Sequence, residues 1–311
     1  MVITPRPYRD EQDREHMKAI LVEGRKASNG TYYVHAGDLS WWLFYLNREY
    51  DRRQTIYLWE GQRTDGALDV IGWSLLSPNF RAFDVFAHPE EIGGERVEHM
   101  LIWTEERMRE IVKESGGKNV RTMWVSEDDA WLISRLERRG FARSDCHLLY
   151  MSRSLDESIA EPQLPSGYRV RHVAGEHEVE ARAAVSHGAF ASKREAEHHR
   201  QDYLEFMRSP VYTPDLDLVA VASDSRFAAF CICWLDNVNQ VGLFEPVGTH
   251  PDFQRKGLGK AVVCEGLRRM KARGMTTAVL CVEHDNPAAQ RLYESAGFHT
   301  ANKIYTYVKD V

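Results

Sequence analysis

The stretch Val247-Gly248-Thr249-His250-Pro251-Asp252-Phe253-Gln254-Arg255-Lys256-Gly257-Leu258-Gly259-Lys260-Ala261-Val262-Val263 decides how the chain is read. It begins as the end of a strand, continues as a short loop rich in backbone amides, and closes as the start of a helix. Leu258, Val262, Val263 and Leu267 follow a helical spacing. Gly257 and Gly259 stand where the loop joins that helix. A helix start carries unpaired N–H groups and the positive end of the helix dipole, so this junction suits a phosphate.

Upstream, the pattern predicts a strand at Tyr168–Val173, helices at Glu178–Phe190 and Lys193–Met207, and strands at Leu218–Ala222, Ala228–Asp236 and Gln240–Thr249. Downstream it predicts a strand at Thr277–Val282, a helix at Pro287–Ala296 and a last strand at Lys303–Val308. Asp156–Gly167, with Pro162, Pro165 and Gly167, reads as a linker. Before the linker a similar order occurs: a helical segment over 10–27, an aromatic-rich helix around Trp41–Leu46, and strands at Thr55–Glu60 and Leu68–Ser77 joined by a turn at Gly61–Gly66. Then come a strand at Phe83–His88, a helix at Arg96–Glu114, a strand at Val120–Val125, a helix at Trp131–Arg139 and a strand at Leu148–Ser152.

The two halves also match in residues. Arg121–Val125 aligns with Ala278–Val282, and Leu136-Glu137-Arg138-Arg139-Gly140-Phe141 aligns at the same offset with Tyr293-Glu294-Ser295-Ala296-Gly297-Phe298. His88-Pro89-Glu90 aligns with His250-Pro251-Asp252 at nearly that offset. The expected organisation is therefore two copies of one α/β unit, residues 1–155 and 168–311, joined by 156–167. A chain of 311 residues has room for two domains of roughly 150 each.

Composition narrows the function classes. The chain is 43% hydrophobic and 28% charged, ordinary for a soluble globular protein. A net charge of −6 argues against a nucleic-acid binder that relies on a basic surface. No run approaches the roughly 18 consecutive apolar residues of a membrane span. The first residues have no apolar signal-peptide core. The five cysteines (Cys146, Cys231, Cys233, Cys264, Cys281) have no metal-type spacing and read as reduced thiols. The expectation is a cytoplasmic protein, monomer or homodimer, with no nucleic-acid or membrane partner. His187, His198, His199 and His284 stand in no recognised ligand motif, so no metal is expected.

Gln254-x-x-Gly257-x-Gly259, followed by Asn286-Pro287-Ala288-Ala289-Gln290-Arg291-Leu292-Tyr293-Glu294-Ser295-Ala296-Gly297-Phe298, resembles the two signature motifs of the GNAT superfamily of N-acetyltransferases. The resemblance is strong over 240–300, rests on element order over 168–240, and reaches 1–155 only through the repeat. It implies two tandem α/β domains, each a mixed, mostly antiparallel sheet flanked by helices. It also implies acetyl-CoA as acyl donor. Backbone groups of Val247, Gly248 and Thr249 would pair with the pantetheine arm, and Gln254, Arg255, Lys256, Gly257, Leu258, Gly259 and Lys260 would hold the pyrophosphate. Asn286, Ala289 and Tyr293 would complete the cofactor wall. In the first copy Ile92, Glu95 and Val97 stand opposite Gln254, Gly257 and Gly259. Glu90, Glu91 and Glu95 there would repel a pyrophosphate. That copy is expected to be degenerate.

The resemblance further implies that the amine attacks acyl-CoA directly. Tyr293 would protonate the leaving sulfur, although a core tyrosine fits the same position. Glu245 would take the amine proton, with His250 and Asp236 as competitors and a solvated strand carboxylate as the plainer reading. Pro246 lacks a backbone donor, which points to an edge or bulge there. By family analogy, Phe190, Tyr203, Phe206, Trp234, Asp236 and Asn237 border the acceptor, and core packing explains most of the aromatics equally well. The acceptor would be a small-molecule or peptide amine. A non-catalytic acyl-CoA sensor and a transferase of longer acyl or aminoacyl groups are the alternatives.

Overall fold

A computed structural model describes residues 3–28, 30–62, 66, 68–161 and 163–311, so residues 63–65 of the Gly61–Gly66 turn and Pro162 of the linker lie outside the described residues. The chain forms two compact units, but they are not its linear halves. The first comprises Met1–Ala36, Asn47–Tyr150 and Asn302–Val311; the second comprises Gly37–Leu46 and Met151–Ala301. Each unit takes a short segment from the far side of the linker.

In chain order the elements are β1 (Arg6–Pro7), α1 (Glu11–Ala27), α2 (Ala36–Trp41), α3 (Arg52–Thr55), β2 (Ile56–Gln62), β3 (Leu68–Ser77), β4 (Ala82–Ala87), α4 (Glu95–Glu114), β5 (Asn119–Ser126), α5 (Ala130–Arg138) and β6 (Ala142–Ser154). After the linker come β7 (Tyr168–His172), α6 (Val179–Ala189), α7 (Ala196–Met207), β8 (Asp217–Ala222), β9 (Phe227–Asp236), β10 (Val241–Thr249), α8 (Leu258–Ala272), β11 (Thr277–Glu283), α9 (Pro287–Ser295) and β12 (His299–Asp310). A single π-helical turn, Trp42–Leu46, continues α2.

The first unit carries the strand order β1-β2-β3-β4-β5-β12. All of these pairs are antiparallel except β4–β5. The last strand was expected to complete the second half; instead it lies against β5, with Ile304 opposite Ser126 and Val308 opposite Arg121. Side chains explain this placement better than backbone pairing, which any strand edge would accept. Tyr307 is buried with Leu76, Phe83, Leu101, Val125 and Phe141, and Lys309 Nζ reaches the buried Glu105 carboxylate at 2.6 Å.

The second unit orders its strands β11-β10-β9-β8-β7, with β10–β11 parallel and the rest antiparallel. The aromatic segment around Trp41–Leu46 packs here, not in the first unit. Trp41 meets Phe206 of α7 edge-on at 5.1 Å, and Tyr45 stacks on Trp41 at 4.1 Å. Between α6 and the sheet, the fully buried Arg182 pairs with Asp217 at 2.8 Å and lies over the rings of Tyr203 and Phe230.

Equivalent positions do equivalent work in both units. His88 and His250 each accept a backbone N–H two residues on, from Glu90 and Asp252, both at 3.3 Å. Asp129 and Asn286 cap α5 and α9 by accepting from Leu132 N and Ala289 N. Gly140 and Gly297, which follow those helices, have φ of 85° and 90°, a left-handed conformation that favours glycine.

Candidate active site

The site in the second unit starts from a break in pairing. β10 runs beside β11 from Val241 to Leu243, the last residue registered against β11, opposite Val279. Its pairing with β9 shifts register between Phe244 and Val247, across a cis Glu245–Pro246 peptide, so the bulge expected at Pro246 is present. Val247, Gly248 and Thr249 then pair with Cys231, Phe230 and Ala229 of β9. With β9 on one edge and β11 parted from the other, this stretch offers a free backbone edge to an extended ligand.

The chain next makes a 3-10 turn, Pro251–Phe253, and two left-handed residues, Arg255 (φ 61°) and Gly257 (φ 78°), before α8 begins. Gly257 stands at the N-cap of α8 and has no side chain with which to fill the N–H groups of the first turn. The 15-residue helix therefore points unfilled donors and its positive end into the space in front of it. A Cβ at Gly259 would come within 2.7 Å of Leu292 Cδ1 and 2.9 Å of Thr249 Oγ1; one at Gly248 would come within 2.6 Å of the Phe230 ring. Both glycines permit close packing around the cleft.

The cleft measures about 540 Å³. Its lining includes Val247, Gly248, Thr249, Gln254, Arg255, Gly257, Leu258, Gly259, Lys260, Asn286, Ala289, Tyr293 and Phe190. Arg291, Ala288, Leu292, Ser295, Phe253 and Ala189 line it too, beyond the residues that the resemblance assigns to the cofactor. Three cations, Arg255, Lys260 and Arg291, stand in this wall, and no carboxylate lines it. Lys256 is not part of it. Its Nζ approaches the Asp252 carbonyl at 3.3 Å and Tyr168 Oη at 3.4 Å, over the ring of Phe253.

Tyr293, on α9, is buried against Phe298 and also borders the cleft. Burial, and after it the Glu245 charge, raise its phenol well above the ordinary value, so it keeps its proton at neutral pH. Glu245 is half-buried. Desolvation by the surrounding protein, reinforced by the charge of Asp38, pushes its carboxyl up to about 8. Asp38 lies in the α2 segment, and nothing in its local sequence marks it; only the fold brings it to Glu245. Trp234 Nε1 donates to the Glu245 carbonyl at 2.7 Å.

The other acceptor-side expectations fare differently. Phe190 is exposed on the cleft, edge-on to Phe230. Tyr203 is fully buried and donates to Asp217 at 2.6 Å, a core role. Asp236 accepts from Val238 N and Asn239 N, both at 3.1 Å, and with Asn237 forms the β9–β10 turn outside the cleft lining. His250 has its ring packed on Gly188 and its Nδ1 engaged by Asp252 N.

Residues 183–298 match the acetyltransferase (GNAT) family model, a span that contains the glycine loop and the α9 motif. That span is a GNAT-family domain. The chain is similar to mycothiol acetyltransferases of Saccharomonospora viridis (29% identity, 60% of this chain and 64% of the relative), Saccharopolyspora erythraea (31%, 57% and 58%) and Streptomyces scabiei (36%, 49% and 50%). Each match spans less than two thirds of the relative's length. The GNAT fold likeness extends across nearly the whole chain. A GCN5-related N-acetyltransferase from Sphaerobacter thermophilus superposes with a TM-score of 0.68 at 18% identity, covering 99% of this chain and 95% of that one. A tandem GNAT protein from the clavulanic acid biosynthesis pathway gives 0.68 at 14%, covering 99% and 98%. Both bear out the expected architecture of tandem, mostly antiparallel α/β domains.

Proposed function

We propose that the chain transfers an acetyl group from acetyl-CoA to a primary amine, by direct attack in a ternary complex formed in the second-unit cleft. The observation that carries this reading is the wall itself: an uncapped helix start, three cations and no carboxylate, with Tyr293 on the same cleft. That combination fits a pyrophosphate held by α8 amides with Arg255 and Lys260, and a pantetheine arm laid along Val247–Thr249. Arg291 adds a third positive charge to the wall. Acetyl-CoA supplies an activated thioester.

The chain's residues supply the proton handling. A primary amine with a pKa near ~10 arrives as ammonium and must lose a proton before its nitrogen can attack. Glu245, at the β10 bulge and outside the cleft lining, accepts that proton through an intervening water. Tyr293 keeps its own proton at neutral pH and gives it from Oη to the departing sulfur. The relatives' name designates acetyl transfer on mycothiol, so its unacetylated precursor heads the panel of amines to offer.

Purified protein given acetyl-CoA and that panel should release free thiol only when an amine is present. Acetyl-CoA binding without turnover on any amine, with Tyr293→Phe changing nothing, would instead point to a non-catalytic sensor.

A further inference from the structure

We propose that Arg182 is a positioning residue for the acyl donor: its guanidinium holds the Phe230 ring against Gly248 and so fixes the backbone edge on which the donor's arm lies. This rests on the function proposed above, which lays that arm along Val247–Thr249. Phe230 and Gly248 stand opposite each other on β9 and β10. The ring fills the place that a side chain at 248 would take, since a Cβ there would come within 2.6 Å of Phe230 Cε1 and 2.9 Å of Ala189 Cβ. Phe190 meets the same ring edge-on at 5.8 Å. Phe230 is fully buried, while Gly248, Ala189 and Phe190 all line the cleft. One buried ring therefore supports three pieces of the cleft wall, two from the end of α6 and one from β10.

Arg182 holds that ring in turn. Its Cζ lies over the Phe230 ring at 4.1 Å and over the Tyr203 ring at 4.5 Å. Nε donates to Asp217 Oδ1 at 2.8 Å, and Asp217 Oδ2 accepts from Tyr203 Oη at 2.6 Å and Tyr212 Oη at 3.0 Å. Nη1 and Nη2 are buried and have no hydrogen-bond partner among the described residues. Buried donors without acceptors are costly, and the electron-rich faces of the two rings lie against the guanidinium instead. The cation is thus anchored by one carboxylate and directs its remaining attraction at the rings, an attraction that is stronger away from water than in it. Arginine keeps its charge at every working pH, so the hold does not depend on proton uptake. Stability alone does not call for the pair, because apolar replacement of a buried ion pair is often neutral or stabilising. Its consequence is positional: a tilt of Phe230 would leave the cation and open a gap at Gly248.

The test replaces both charges at once, Arg182→Met with Asp217→Asn, so that no unpaired charge stays buried and an amide oxygen at position 217 still accepts from Tyr203 and Tyr212. Two probes are titrated by calorimetry: coenzyme A, and adenosine 3′,5′-bisphosphate, which keeps the nucleotide and lacks the pantetheine arm. The double variant should bind coenzyme A about tenfold more weakly and the bisphosphate as tightly as wild type does. Arg182→Lys, which keeps a cation for Asp217, should stay within about threefold of wild type for both. In 15N-labelled protein without ligand, the Gly248 amide resonance should move in the double variant and stay near its place in Arg182→Lys. A folded double variant with wild-type affinity for coenzyme A, or with an unmoved Gly248 amide, would overturn the inference. So would an equal loss of affinity for both probes, the mark of general damage. A wild type that binds neither probe would sink the proposed function and the donor's part in this inference, and the Gly248 resonance would still judge the hold of Arg182 on Phe230.

Discussion

The second-unit cleft and its counterpart in the first unit share a skeleton and differ in what fills it. The first-unit counterpart, bordered by Val85–Ala87 of β4, Ile92, Val97, Trp124, Asp129 and Trp131, encloses only about 40 Å³. Trp131 stands where the second unit has Ala288, and Trp124 where it has Cys281. Its lining has no cation and one carboxylate, Asp129. The parting of the strands is bridged as well. β4 and β5 register at Ala82 and Arg121, and Asp84 then accepts from Met123 N at 3.0 Å and Trp124 N at 2.9 Å, spending donors of β5 on a side chain. One topology is thus an open cleft walled by three cations in one copy and a packed core in the other. The difference lies in a few side chains and not in the strand order.

The comparison can be broken most sharply by moving a first-unit residue into the second. Ala288→Trp, at an exposed position of the cleft wall, should leave the fold intact and weaken acetyl-CoA binding by at least ~100-fold, measured by calorimetry. The wild type should titrate with one site per chain. A second site would mean that the filled cleft still opens.

Tyr293→Phe comes next. The first unit has Leu136 at the equivalent position, so the phenyl ring should pack without difficulty. Turnover should fall about 100-fold with acetyl-CoA binding preserved, because only the proton is lost.

The pH dependence follows from Glu245. Its carboxyl is raised to about 8, so below that pH it is protonated and cannot accept the amine's proton. A kcat/KM profile should therefore climb with pH and level above about 8, and Glu245→Gln should lower activity and abolish this limb. The amine's own deprotonation would appear separately, nearer ~10.

Smallest are the effects of the loop cations. Lys260→Met should weaken acetyl-CoA binding several-fold and make it less sensitive to salt, whereas Lys256→Met should change binding less than about twofold, its side chain being turned toward Tyr168 and Phe253. Binding isotherms at two ionic strengths would separate them.

Much of this site was legible because it is local. The glycine spacing, the α9 motif and the consequence of Pro246 each depend on residues within one turn or one strand. Lys256 stands outside the cleft lining, because a place in the loop does not fix which way its side chain points. Tyr203 could be read either as an acceptor-side or as a core aromatic, since at a helical spacing it looks the same whether it faces a ligand or Asp217; it is buried on Asp217. Asp236 carries the expected charge but spends it on the turn that ends β9. Asp38 and the last strand were invisible to a linear reading. Each acts in the unit on the other side of the linker, a choice made by Trp41 on Phe206 and by Tyr307 in its core, contacts that no periodicity encodes.

The position of β12 also sets an order of events at the ribosome. The first unit includes Asn302–Val311, which are translated only after the whole of Met151–Ala301. At roughly 5–20 residues per second, the N-terminal portion must wait many seconds with the edge of β5 uncovered before its final strand emerges. A stop codon in place of Asn302 would spare every residue lining the second-unit cleft and still deprive the first unit of most of β12.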